Sequence, residues 1–218
     1  DSFIPDILNS SSTPITVNPN PTVSAGADQT VLMGNTISLS GTVSNSGSES
    51  TKNAIGSGSD YQYVGLSSVD DNSRAQMLYT ASELSTSGLS ANDAISAISF
   101  DFPFVNCNGT YEPLTFKLGH SSSTSFSNTT FVTPNDYTTV LTTSSFSVSS
   151  TGWKKINFST DFVWDGTSSI IVEICFSGGD ACSGSQYNYV NSTDTDNKMI
   201  HSSSTGCGQA TGSSYDWD

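Results

Sequence analysis

The sequence predicts an all-β protein, an antiparallel and jelly-roll-like β-sandwich, and three observations point to this fold class. Apolar and polar residues alternate over several short segments, as they do in half-buried strands. These segments recur about every 8–15 residues and are separated by turns rich in Gly, Asn, Asp and Ser. The sequence also lacks the sustained 3.6-residue period of a long helix. Together these features favour two packed antiparallel sheets.

Composition and charge exclude several classes of partner. The 218 residues suffice for one large or two small domains. Only 34% of them are hydrophobic, whereas Ser and Thr together make up about a third. The chain has 6 Lys and Arg and 20 Asp and Glu, which gives a formal net charge of −14. Binding to nucleic acid or to an anionic membrane needs clustered cations, and no segment has the roughly 18 apolar residues of a membrane span. We therefore expect neither nucleic-acid binding nor membrane insertion.

The cysteines and the first residue indicate a secreted chain. The sequence starts at Asp1 without Met, which is typical of a mature extracellular or cell-surface protein after processing. The four cysteines fit neither a zinc ribbon nor a redox CxxC motif, so disulfides are expected. Three pairings are open. We favour Cys175–Cys207, which leaves Cys107–Cys182 as the second bridge.

The N-terminal region divides into three segments. Residues 1–21 form a leader with four prolines, which suits an extended or edge conformation and a role as donor segment. Residues 22–46 predict two strands around a Gly34-Asn35 turn. Within them AGADQTV, the Gly turn and ISLSG resemble the opening of a PKD-type immunoglobulin-like domain. Residues 47–59 predict a linker or loop. Two strands cannot form a sandwich alone, so they are expected to join another sheet.

Residues 60–218 are predicted to form the main β-sandwich. Thr80 and Glu83 match a capping box and predict one short helical turn at ASEL. Alternating apolar residues predict four strands, marked by Ile98, Phe100, Phe102 and Phe104; by Leu114, Phe116 and Leu118; by Ile156 and Phe158; and by Ile170, Val172, Ile174 and Phe176. Asp165-Gly166 predicts a hairpin turn between the last two strands.

Several blocks of this region resemble a known domain family. TASELSTSGLS, AISAISFDF, FKLGH and STGWKKINFSTDFVWDGTSSIIVEICF are similar to a β-sandwich domain common in large secreted, adhesin-like proteins of Bacteroidota. The resemblance runs from residue 60 to about residue 210. It implies a secreted, non-catalytic domain with a closing strand after the final cysteine. Here the residues that follow Cys207, GQATGSSYDWD, provide no strand of that quality.

The missing strand predicts that another segment completes the sandwich. A central strand buries three or four apolar side chains at roughly 1.5–3 kcal/mol each, out of a domain stability of about 5–15 kcal/mol. The candidate segments are 15–23, 28–33 and 36–43; the proline-dense first suits an edge and the other two suit a central slot. The residues expected to fill the slot are Ile15, Val17, Val23, Val31, Ile37 and Leu39. The sequence leaves open whether they come from the same chain or, by donor-strand complementation, from a neighbour.

No catalytic constellation stands out in the sequence. His120 ends the FKLGH strand and is interpreted as structural, and His201 is expected on the surface or in a loop. G-x-S-x-G, H-E-x-x-H and P-loop motifs are absent from the sequence. We therefore predict that the chain is not an enzyme and needs no organic cofactor.

Two weaker binding signals are present. Oxygen-rich loops suited to calcium carry Asp70 and Asp71 in one case and Asp194 and Asp196 in the other, although solvated loop acids are the favoured explanation of both. A sugar-binding platform is suggested by Tyr61, Tyr63, Tyr187, Tyr189 and Trp217. The pair at 187 and 189 also fits alternate residues of an edge strand. Trp153 and Trp164 are expected to pack in the core or in turns.

Two functions follow from these features. The first is a non-catalytic extracellular structural protein that assembles with copies of itself into a filament or surface fibre by strand complementation. The alternative is a carbohydrate-binding or adhesin module of a larger secreted protein, with surface glycans as partners. A calcium-stabilised spacer is a third reading. Stability as a monomer separates the first function from the second.

Overall fold

The structure is a computed structural model that describes residues 13–18, 22–24, 42–44, 53–55, 60–62, 65–66, 71–105, 109–180, 188–192, 198–204 and 206–214. Within these ranges the chain forms eighteen strands, one α-helix and one 3₁₀ turn. The strands are β1 (Thr13–Asn18), β2 (Thr22–Ser24), β3 (Thr42–Ser44), β4 (Asn53–Ile55), β5 (Asp60–Gln62), β6 (Ser73–Tyr79), β7 (Ala94–Phe102), β8 (Phe104–Val105), β9 (Gly109–Glu112), β10 (Leu114–Ser121), β11 (Thr138–Thr143), β12 (Phe146–Val148), β13 (Gly152–Val163), β14 (Ser169–Phe176), β15 (Gly178–Asp180), β16 (Asn188–Ser192), β17 (Met199–Ser202) and β18 (Ser213–Ser214). Helix α1 is Ala81–Thr86, and the 3₁₀ turn is Gly206–Gly208. None of the helical segments in these ranges is long and apolar enough to cross a membrane.

Two antiparallel sheets form the layers of a β-sandwich. The four-stranded sheet has the order β13-β7-β1-β4, and the six-stranded sheet has the order β11-β10-β14-β6-β17-β18. Smaller sheets are formed by β12-β9-β15, by β5-β16-β8 and by β2-β3. The predicted all-β sandwich is therefore confirmed.

The main hydrophobic core lies between the two layers. Alternate residues of β7, β10 and β14 face each other across it, and the rings of Phe100 and Phe116 lie 6.3 Å apart. The core residues that are at most 2% exposed include Ile98, Phe100, Phe102, Leu114, Phe116, Leu118, Ile170, Val172, Ile174 and Phe176. Trp164 is also buried, and its indole N–H donates to the Ser168 carbonyl at 2.7 Å, as expected for core packing. Trp153 is half-buried on β13.

The predicted strand through Phe104 ends earlier than its alternation suggests. β7 stops at Phe102, and Phe104 is 44% exposed on the separate strand β8. Pro103 explains the break because proline has no backbone N–H to continue the ladder. The short strand after this proline pairs with β16 instead of β13.

Strand β14 is buried on both faces, although its pattern predicted one buried face. All eight of its residues are buried, including Ile171, Glu173 and Cys175 on the side away from the main core. Residues 122–137, called the covering loop here, connect β10 to β11 and pack over this outer face. The contact is a second apolar cluster formed by Leu78, Phe126, Phe131, Ile171 and Ile200, with Tyr137 against it. β14 is thus a central strand with both faces covered.

The prediction of a hairpin at Asp165-Gly166 is wrong. The local turn does form: Gly166 has a φ of +82°, and the Asp165 carboxylate accepts hydrogen bonds from the Thr167 and Ser168 amides. Slight burial raises the pKa of Asp165, but the hydrogen bonds from Ser168 outweigh it and hold the pKa well below its usual range. However, β13 and β14 lie in different sheets, so the turn carries the chain across the sandwich. Turn residues specify a local chain reversal but not which strands pair, and β14 pairs with β10 and β6, which are distant from the turn in the sequence.

The predicted capping box is confirmed at the start of α1. The Thr80 hydroxyl accepts from the Glu83 amide, and the Thr80 amide donates to the Glu83 carboxylate at 2.8 Å. Lys198, just before β17, lies 2.7 Å from the same carboxylate. Burial raises the pKa of Glu83, but its hydrogen bonds with Lys198 and Thr80 lower it overall. The contact with Lys198 therefore also ties the helix to the start of β17 in the six-stranded sheet.

Candidate functional site

The N-terminal strand β1 lies inside the four-stranded sheet, between β7 and β4. It pairs antiparallel with β7 through Ile15↔Ile98, Thr16↔Ala97 and Val17↔Ile95, with a bulge between Thr16 and Val17. On its other edge it pairs with β4 through Thr13↔Ile55 and Pro14↔Ala54. We call the position between β7 and β4 the slot.

The slot is an interior position, whereas the proline-dense segment 15–23 was expected at a sheet edge. The strand uses residues 13–18, and the following prolines, Pro19 and Pro21, fall outside it. The residues that pair with β7 are Ile15, Thr16, Val17 and Asn18, each of which keeps its backbone N–H. Proline density over the longer window therefore misled the prediction.

The contacts of β7 and β4 show what the slot contributes to the sandwich. Ile95 and Ile98, each 1% exposed, belong to the main core, and β7 pairs with β13 on its other edge. Within the described pairings β4 joins the four-stranded sheet through β1 alone. Ile55 of β4 is nevertheless part of the core. An empty slot would therefore expose one edge of β7 and detach β4.

The other predicted donor residues do not lie in the slot. Val23 is on β2, which pairs with β3 in a separate two-stranded sheet through Val23↔Val43. Val31, Ile37 and Leu39 lie outside the described residues. The predicted linker, residues 47–59, contains strand β4 of the main sandwich.

The favoured disulfide is confirmed. The Cys175 and Cys207 sulfurs are bonded, with Cα atoms 5.1 Å apart and a sequence separation of 32. The bond ties β14 to the segment after β17, whose residues run beside the covering loop: the Phe131 amide donates to the Ala210 carbonyl at 3.2 Å. Cys107 and Cys182 lie outside the described residues.

The calcium and sugar predictions can be placed only in part. Asp71 is exposed two residues before β6, and Asp70, Asp194 and Asp196 lie outside the described residues. Among the described residues, no three His, Cys, Asp or Glu side chains cluster as metal ligands would. Calcium binding stays a prediction.

Two of the predicted sugar-binding residues, Tyr61 and Tyr189, lie on strands of the same three-stranded sheet. Tyr61 on β5 is the register partner of Asn191 on β16, and Tyr189 is the partner of the exposed Phe104. Because register partners and residues two apart share a face, these four positions lie on one face of the β5-β16-β8 sheet. Tyr63, Tyr187 and Trp217 lie outside the described part of the chain.

Both histidines have structural contacts. His120 Nδ1 lies 2.5 Å from the Asp136 carboxylate, and its Nε2 accepts from the Asp165 amide at 3.2 Å. Slight burial raises the pKa of Asp136, but its hydrogen bonds with His120 lower it overall. With one nitrogen donating and the other accepting, the imidazole links the covering loop to the Asp165 turn.

The prediction of a surface position for His201 is wrong. It is buried on β17, within hydrogen-bond distance of the Ser73 hydroxyl at 3.1 Å. Burial lowers the pKa of His201 to about 4. The loop-like composition of KMIHSSST hid an interior strand of the six-stranded sheet.

Sequence reasoning missed a buried polar cluster on the outer face of the six-stranded sheet. Glu173, with a side chain 1% exposed, accepts from Arg74 at 2.6 Å, from Gln76 at 2.9 Å and from Lys117 at 3.1 Å. The Tyr137 hydroxyl donates to it at 3.3 Å. Burial and the nearby Glu173 charge raise the pKa of Tyr137 above its usual range, which keeps it a neutral donor. The available signal was one glutamate in the middle of the apolar strand SIIVEICF.

No protein-family model, curated protein or solved structure matches this chain. The resemblance to secreted Bacteroidota domains therefore stays a prediction. The fold and the slot define the class of protein as an antiparallel β-sandwich whose N-terminal strand fills an interior sheet position.

Proposed function

We propose that the chain is a structural subunit of an extracellular filament or surface fibre, in which the slot of each subunit is filled by β1 of its neighbour. The observation that carries the proposal is the interior position of β1. Its backbone pairings with β7 and β4 hold it in that position. A copy of β1 from another subunit makes the same pairings, so exchange costs little in free energy.

The sequence after β1 favours donation of β1 to a neighbouring subunit over its insertion into the slot of its own chain. Asn18 is the last strand residue that pairs with β7, and Pro19-Asn20-Pro21 directly follows it in the sequence. Residues before proline prefer extended conformations, and each proline is fixed in φ, so this segment resists a tight reversal. An extended arm is the form that reaches a neighbour.

Exchange of this kind builds a fibre. Donor strand and slot are different surfaces, so the contact is head-to-tail and propagates unless the rotation between subunits closes a ring. An extracellular setting is supported by the Cys175–Cys207 bond, because such bonds persist in oxidising compartments. The low content of cations and the resemblance to secreted domains support the same setting.

The test compares the full chain with a variant lacking residues 1–21, by negative-stain electron microscopy and size-exclusion chromatography. We expect fibres from the full chain and monomers from the deletion variant. A synthetic peptide of residues 12–21 should bind the deletion variant and raise its unfolding temperature. The matched control peptide carries Val17→Pro, which removes one backbone N–H from the strand, and should not bind. A full chain that stays monomeric at all concentrations contradicts the proposal.

A carbohydrate-binding or adhesin module is the second candidate, and one observation favours it. Tyr61, Tyr189 and Asn191 share a face of the β5-β16-β8 sheet with Phe104, and aromatic faces with an adjacent amide suit stacking on a sugar ring. Glycan-array binding that is lost in Tyr189→Ala, by a chain that stays monomeric, supports this candidate over the filament.

A further inference from the structure

A pocket lies beneath the covering loop, on the opposite side of the six-stranded sheet from the main core. Its volume is about 340 Å³, within the usual range for small-ligand sites of roughly 300–1,000 Å³. Its apolar lining is Leu78, Phe126, Phe131, Val132 and Ile171. Leu78 and Ile171 are at most 2% exposed, so the apolar surface that a ligand can reach belongs to Val132 and to the edges of Phe126 and Phe131. The slot and the β5-β16-β8 sheet contribute no residue to its lining.

The rim of the pocket is polar but uncharged. Five hydroxyl residues and Asn128 line it, all from β10 and the covering loop. Although the chain carries a charge of −14, none of the described lining residues is ionisable. A charged ligand would lose hydration here without gaining a counter-ion, which is costly.

The wall of the pocket is fixed in place by hydrogen bonds. The Gln76 side chain makes two hydrogen bonds to the Val132 backbone. Its Oε1 accepts from the Val132 N–H at 2.8 Å, and its Nε2 donates to the Val132 carbonyl at 2.7 Å. The Gly212 amide donates to the Thr129 carbonyl at 2.8 Å. Because these hydrogen bonds already order the loop, a ligand that enters the pocket does not incur the conformational-entropy cost of ordering it.

We infer that this pocket binds a neutral saccharide, a single sugar or the terminal sugar of a glycan. A sugar ring combines an apolar C–H face, which suits Val132 and the accessible edges of Phe126 and Phe131, with peripheral hydroxyls that satisfy the rim. A purely apolar ligand would leave the rim hydroxyls desolvated and unpaired, which costs free energy. The inference does not depend on the filament function, because the pocket and the slot are on different sheets.

The test is a titration of the full-length, ¹⁵N-labelled chain with glucose, galactose, mannose and N-acetylglucosamine, followed by amide chemical shifts. At least one neutral sugar should produce saturable shifts within residues 121–132. Positively charged glucosamine and negatively charged glucuronate should bind at least about tenfold more weakly than that sugar.

Rim substitutions provide the control. Ser123→Phe places a bulky side chain at the rim and should weaken binding at least about tenfold. Ser122→Phe, the exposed neighbour outside the lining, should change it by less than about twofold. If Ser123→Phe does not fold, Ser127→Phe takes its place at the rim. Absence of saturable shifts with every neutral sugar, shifts centred on the β5-β16-β8 sheet, or unchanged binding by the rim variant overturns the inference.

Discussion

Replacing Glu173 by Gln should destabilise the protein strongly, although the two side chains have the same shape. The substitution removes the negative charge that pairs with Arg74 and Lys117. It also replaces one carboxylate oxygen by an NH₂ group, which cannot accept a hydrogen bond from either cation. Truncating one partner of a buried ion pair costs roughly 3–5 kcal/mol. Because Lys117 is 32% exposed and can turn toward water, whereas Arg74 is only 13% exposed, we expect a loss of about 2–4 kcal/mol.

This loss should be visible in thermal and urea unfolding. For a chain of this size, 1 kcal/mol shifts Tm by about 2–4 °C, so a 3 kcal/mol loss lowers Tm by about 6–12 °C. The fluorescence of the buried Trp164 reports the transition. Proteolysis within the covering loop should also become faster, because the cluster anchors Tyr137 of that loop.

The matched control for this prediction is Glu112→Gln. Glu112 is exposed at the end of β9, so its replacement should change the free energy of unfolding by less than about 0.5 kcal/mol. If Glu173→Gln unfolds at the same urea concentration as the wild type, the cluster does not anchor the covering loop and the reasoning is refuted.

Three further predictions concern the disulfide, the buried histidine and the packing of the covering loop. Replacing both Cys175 and Cys207 by Ser should lower the free energy of unfolding by about 3–4 kcal/mol, because the bond closes a loop with a sequence separation of 32. Equal stability of the variant and the wild type in urea unfolding would contradict this prediction. Since burial lowers the pKa of His201 from 6.5 to about 4, the unfolded chain takes up a proton first as pH falls, and stability should drop by up to about 3 kcal/mol between pH 6.5 and pH 4. In His201→Gln the stability measured by urea unfolding should vary less with pH over that window; an unchanged slope contradicts the assignment. Gly119→Ala would place a Cβ 2.7 Å from Pro134 and should cost about 1–3 kcal/mol in urea unfolding, whereas unchanged stability would mean that the loop does not pack on β10.

The sequence predicted the fold class because alternation is a local signal of strand formation. The segments around Phe100, Phe116 and Val172 became core strands as expected, and the capping box at Thr80 formed as predicted. Which strands share a sheet is not a local property. The Asp165-Gly166 turn predicted a reversal correctly but gave no information on the pairing of β13 and β14.

The candidate site was predictable only in part for the same reason. Ile15 and Val17 could be proposed as strand residues, but their place between β7 and β4 depends on partners that are distant in the chain. The cluster around Glu173 was hidden because its members come from three strands and a loop. Sequence patterns report one element at a time, and these features depend on several.

The origin of the strand in the slot tests the account most directly. Thr16 and Ala97 are register partners, so Cys at both positions should crosslink across the slot under oxidising conditions. Each single variant serves as the control for other disulfides. The proposal that β1 of one subunit fills the slot of the next predicts a ladder of covalent multimers on a non-reducing gel. A crosslink confined to the monomer would show that β1 stays in its own chain and would contradict the filament.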